Sequence, residues 1–63
     1  MTDYVVTVAT NSALKTQATI IRTDYVVYAE SADAAVTICK TDFPDAIAVT
    51  CRGEYWDIFD IDT

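Results

Sequence analysis

The side chains of this 63-residue chain that could do chemistry are ten carboxylates, four Lys or Arg and two thiols; it has no histidine. Without histidine, the usual general base at neutral pH is missing. So are Ser-His and Cys-His nucleophile pairs and the common zinc ligand sets. Two cysteines, Cys39 and Cys51, cannot complete a four-thiolate site within one chain, and their spacing is not that of a CxxC redox pair. They are expected to be buried thiols. A single glycine leaves no phosphate-cradling loop. Carboxylate pairs can do acid–base work, but a domain this small rarely encloses the roughly 300 Å³ that a substrate needs. The tail acids Asp57, Asp60 and Asp62 lack the spacing and glycine of a calcium-binding EF-hand loop. The expectation is a non-enzyme with no cofactor and no metal.

The carboxylates are instead read as a charged surface. The formal net charge is −6. Up to Ala29 the charges cancel; from Glu30 onward eight carboxylates face only Lys40 and Arg52. A field of this sign repels nucleic acid, whose binding needs Lys and Arg on phosphates, and attracts basic surfaces, including those that hold DNA. Two carboxylates at i and i+2 on a strand stand about 6.6 Å apart. That is close to two phosphate rises of about 3.4 Å each. Asp60 and Asp62 have this spacing. A DNA mimic would further need Glu30, Asp33 and Glu54 on the same surface. The blander role for such acids is to keep a small protein soluble. Trp56, in the mixed run YWDI, is either core or an anchor for a partner.

These residues must be positioned by a single small domain spanning 1–63, and the pattern predicts α+β. Tyr4–Thr10 and Thr16–Ala29 are rich in β-branched and aromatic residues and are expected to be strands, the second with a bulge or break at Arg22-Thr23-Asp24. The stretch TDYVV occurs at Thr2–Val6 and again at Thr23–Val27, which marks two similar strands in one sheet. From Ser31, a good N-cap, to about Thr41 the period becomes helical. Ala32, Ala35, Val36, Cys39 and Phe43 fall on one face, and Pro44 follows as a stop. Ala46–Arg52 alternates as a third strand with Ile47, Val49 and Cys51 inward. Gly53-Glu54 is expected to turn, and Tyr55–Ile61 to form a last strand. The predicted order is β-β-α-β-β, a small antiparallel or mixed sheet with one helix across it. No run reaches the roughly 20 apolar residues of a membrane helix, and no signal-peptide pattern opens the chain. The expected location is the cytoplasm.

The run Tyr28-Ala29-Glu30-Ser31, followed by Asp33, Ala35, Pro44 and Val49-Thr50, resembles the small host RNA polymerase inhibitors encoded by short-tailed phages of the T-odd coliphage group. The similarity spans roughly Tyr25 to Arg52. It implies binding to the β′ jaw of bacterial RNA polymerase, in the channel for downstream DNA, and a block to productive promoter complexes. It also implies an acidic strip containing Glu30 and Asp33, with Arg52 as the exposed arginine near the end of the third strand. The chain departs from the pattern at Cys51, which stands where the family's first arginine follows Val-Thr, and at Gly53 and Glu54, where the second is missing. Ala34, Thr37 and Lys40 replace acids along the helix.

The leading expectation is therefore an acidic phage-type protein that acts in an infected bacterium by binding the polymerase β′ subunit, with no direct nucleic-acid or membrane binding. Its candidate contact residues are Arg52, Glu30, Asp33, Glu54, Asp57, Asp60 and Trp56. The alternatives are an acidic inhibitor or DNA mimic of another nucleic-acid-binding protein, and a structural module that forms a homodimer through its last strand.

Overall fold

The computed structural model describes residues 1–11 and 19–58. Three strands form one sheet: β1 (Thr2–Asn11), β2 (Ile20–Ala29) and β3 (Ala48–Glu54), in the spatial order β2-β1-β3. β1 lies in the middle and is antiparallel to both neighbours. β2 and β3 are therefore parallel to each other on opposite sides of β1. Their connection must cross the sheet, and α1 (Ala32–Asp42) makes that crossing. The result is a small α+β fold, as the sequence pattern predicts.

The two copies of TDYVV pair with each other. Tyr4 stands opposite Val27, Val5 opposite Val26 and Val6 opposite Tyr25. Tyr-Val-Val read against itself in antiparallel places an aromatic beside a β-branched residue at both ends, a favourable cross-strand combination. The repeat therefore encodes register.

Alternation along the strands sorts the side chains into two faces. One face carries Tyr4, Val6, Val8, Val27, Ala29, Val49 and Cys51, and α1 packs on it with Ala35 and Cys39. Ser31 caps the helix: its Oγ accepts from the Ala34 amide at 3.1 Å, and its carbonyl accepts from the Ala35 amide at 3.0 Å. The helix ends at Phe43, whose amide donates to the Cys39 carbonyl at 2.8 Å. The Phe43 ring meets the Tyr25 ring with centroids 5.0 Å apart. The Ile47 amide then donates to the Ala9 carbonyl at 2.7 Å, which docks the start of β3 on β1.

Four details of the three strands differ from the sequence expectation, and Tyr55–Ile58 is a fifth. The β1–β2 register runs unbroken through Arg22-Thr23-Asp24, because cross-strand pairing outweighs the local polarity. The bulge lies instead in β3, where Val6 pairs with Cys51 but Val5 with Gly53, leaving Arg52 as the extra residue. Gly53-Glu54 is not a turn but the end of β3, because both residues still find partners on β1. Ile47 precedes the strand and is exposed rather than inward.

Tyr55–Ile58 is not a strand but a short helix, α2. The positive φ of Gly53, 138°, accompanies this change of direction. α2 packs on β1 and β3. Ile58 Cδ1 would stand 3.5 Å from a Cβ on Gly53, opposite Val5 on the face that α1 leaves open. Val5 is accordingly only 1% exposed. The expected strand beyond Ile58 lies outside the described residues. Among the described residues, no helix is long and apolar enough to cross a membrane.

Candidate functional site

The register decides which of the acids share a location. β1 begins, and β2 and β3 end, at the same end of the sheet: Thr2 pairs with Ala29, and Tyr4 with both Val27 and Glu54. Glu30 follows Ala29 directly. Asp33 occupies the first turn of α1 just beyond it, where a negative charge suits the helix dipole. Glu54 closes β3 at that end, and Asp57 follows in α2. All four are exposed. Asp3, opposite Tyr28, adds a fifth carboxylate that the sequence reading did not single out. Its signal was a place in the first strand, which acquires meaning only once the strand ends are known to coincide.

Of the other predicted contact residues, Trp56 joins this end. Trp56 lies in α2 between Tyr55 and Asp57 and is 66% exposed, so it is not a core residue. Its ring meets Tyr55 edge-on, with centroids 5.3 Å apart. Trp is among the residue types enriched at the energetic centres of protein interfaces. Asp60 lies outside the described residues. Asp42, Asp45 and Lys40 sit at or just past the C-terminal end of α1, toward the opposite end of the sheet.

Arg52 belongs to a different neighbourhood. As the extra residue of the β3 bulge, it is re-aimed by the irregularity, a common use of bulges. Its side chain lies over the open face, with Nη1 3.5 Å from Thr7 Oγ1. The Thr7 hydroxyl donates to Asp24 Oδ1 at 2.6 Å. Asp24, Thr7 and Arg52 thus form a polar line across all three strands. Arg52 remains exposed, and a 3.5 Å contact is a weak tether.

Both cysteines are free; Cys39 is buried in the apolar cluster under α1, as expected, whereas Cys51 packs against that cluster and is only partly buried. Burial pushes the Cys39 thiol up from its ordinary value, with the charges of Asp42 and Cys51 adding to the effect. A raised thiol is a poor nucleophile at neutral pH. Among the described residues, no group of three or more acids or thiols is placed to hold a metal ion.

Compared with known proteins, the chain matches no family model, no curated protein and no solved structure.

Proposed function

We propose that this protein is a small acidic inhibitor of bacterial RNA polymerase, of the kind a phage makes in the cytoplasm of its host. The observation that carries this reading is the gathering of Glu30, Asp33, Glu54 and Asp57 at one end of the sheet, beside the exposed Trp56. Such an end suits the positively charged channel of the β′ subunit that receives downstream DNA. Occupying that channel would block a productive promoter complex by excluding DNA, with no chemistry required. Arg52, held loosely at the open face, would supply a directional contact to a carboxylate of the partner.

The test is binding to purified bacterial RNA polymerase, followed by promoter-complex formation in its presence. Glu30→Lys/Asp33→Lys and Arg52→Ala are each expected to weaken binding about tenfold or more, since truncating interfacial charges commonly costs that much. Rising salt should weaken it too, because exposed charges are screened over about 10 Å at moderate ionic strength. Binding indifferent to all three changes would sink the reading. Binding confined to another DNA-handling protein would move it to the acidic-mimic class, for which the same acidic end is the support.

A further inference from the structure

We infer that the outer edge of β2 is a docking surface for a second copy of this chain, which joins two three-stranded sheets into one six-stranded sheet. This inference is independent of the polymerase reading.

β2 is a terminal strand of the sheet, ten residues long, and its register with β1 has no break. Its inner edge is paired; among the described residues nothing pairs with its outer edge. A long regular edge of this kind presents a row of unpaired backbone donors and acceptors to any matching strand. The other terminal strand, β3, is shorter and bulged, and bulges discourage edge pairing. β2 also exposes Ile20, Ile21, Tyr25, Val26 and Tyr28, an apolar content that a solvated edge does not need.

What singles out a second copy is the sequence of the strand, Ile20-Ile21-Arg22-Thr23-Asp24-Tyr25-Val26. Consider β2 laid antiparallel against itself with the two-fold axis at Thr23. Arg22 of each copy then stands opposite Asp24 of the other. Ile21 stands opposite Tyr25, Ile20 opposite Val26, and Thr23 opposite Thr23. Within Ile20–Val26 every apolar residue meets an apolar one, and both charges meet their opposites twice; beyond it, Val27 would face Thr19. Opposite charges and aromatic–aliphatic pairs directly across strands are favourable, and like charges there are unfavourable. A symmetric dimer needs a self-complementary patch. The chain already uses antiparallel self-matching once, where Tyr4-Val5-Val6 pairs with Tyr25-Val26-Val27.

The test is sedimentation of the intact chain from micromolar to millimolar concentration, with circular dichroism to confirm folding of each variant. The wild-type chain should dimerise reversibly. Arg22→Asp and Asp24→Arg each turn two attractions into two repulsions, so each alone should weaken the dimer about tenfold or more. An equimolar mixture of these two variants should form a heterodimer, because every reversed charge then faces its opposite. A strictly monomeric wild-type chain overturns the proposal. So does a dimer insensitive to both reversals, or a mixture that associates no better than its components. Should a reversal prevent folding, cross-linking decides without a change of charge. Oxidised Thr23→Cys should form a disulfide dimer on the axis, and Val26→Cys should not; the opposite pattern overturns the register.

Discussion

The hydroxyl of Thr7 on the middle strand donates to Asp24 Oδ1 at 2.6 Å and lies 3.5 Å from Arg52 Nη1. One small side chain thereby links residues of all three strands on the face opposite α1. The two contacts differ in strength, since the first has the geometry of a charge-assisted hydrogen bond and the second is at the limit of one. Thr7→Val keeps the β-branched shape and removes the hydroxyl. It should cost about 0.5–1.5 kcal/mol, and a double-mutant cycle with Asp24→Ala in urea denaturation should recover most of that as coupling. Arg52→Ala should change stability by no more than about 0.5 kcal/mol. A large loss for Arg52→Ala would mean that the arginine holds the fold together and is not available to a partner.

Ser31 is placed to be worth more than its size. Its Oγ accepts the Ala34 amide at 3.1 Å at the start of α1, the only full-length helix among the described residues. Ser31→Ala should destabilise by about 1 kcal/mol. In a domain of this length that corresponds to a melting-temperature drop of about 4–8 °C. Ser31→Asp should retain most of the stability, because a carboxylate caps equally well. Equal losses in both variants would count against the cap.

Gly53 holds a backbone conformation that side chains disfavour, with φ at 138°. An added Cβ would meet Ile58 at an ordinary 3.5 Å, so the obstacle is the backbone and not a clash. Gly53→Ala should cost about 1–3 kcal/mol. Shortening the neighbour in Gly53→Ala/Ile58→Ala should give no rescue in thermal melts, and restored stability there would point to crowding.

Cys39 should make stability fall in alkali. Burial holds its thiol protonated in the folded chain above its ordinary value of 9.0. Between the unfolded and folded values the folded state therefore binds more protons, and unfolding free energy declines as pH rises. Below the unfolded value the group contributes no pH dependence. The slope is at most about 1.4 kcal/mol per pH unit. Urea denaturation from neutral pH upward should show this decline, and Cys39→Ala should flatten it. Identical alkaline limbs for the two proteins would exclude Cys39 as the cause.

Much of the fold is legible in residue types, because the determining forces are local. The cap at Ser31, the helical spacing of Ala35 and Cys39, and the β-branched runs of β1 and β2 state their preferences within a few residues. The end of the chain is less legible. Tyr55–Ile58 has the composition of a strand, yet it is helical. Val5 on the open face needs cover, and Ile58 reaches Gly53 across from it. A tertiary contact of this kind overrides a weak β preference. The Arg22-Thr23-Asp24 stretch errs in the other direction: its polarity suggests a break, but pairing with Ala9, Val8 and Thr7 keeps it straight.

By itself, the amino-acid sequence determined the element order through α1 and β3, the core-facing helix residues Ala35 and Cys39, and the excess of acid after Glu30. Periodicity and composition act at short range and survive without knowledge of neighbours. Only the tertiary structure decided that Glu30, Asp33, Glu54 and Asp57 share one end, that Arg52 bulges onto the open face beside Thr7, and that β2 stands at an edge. These are matters of strand order and register, which depend on pairings between residues up to 50 positions apart, such as Tyr4 with Glu54. No local pattern carries that information.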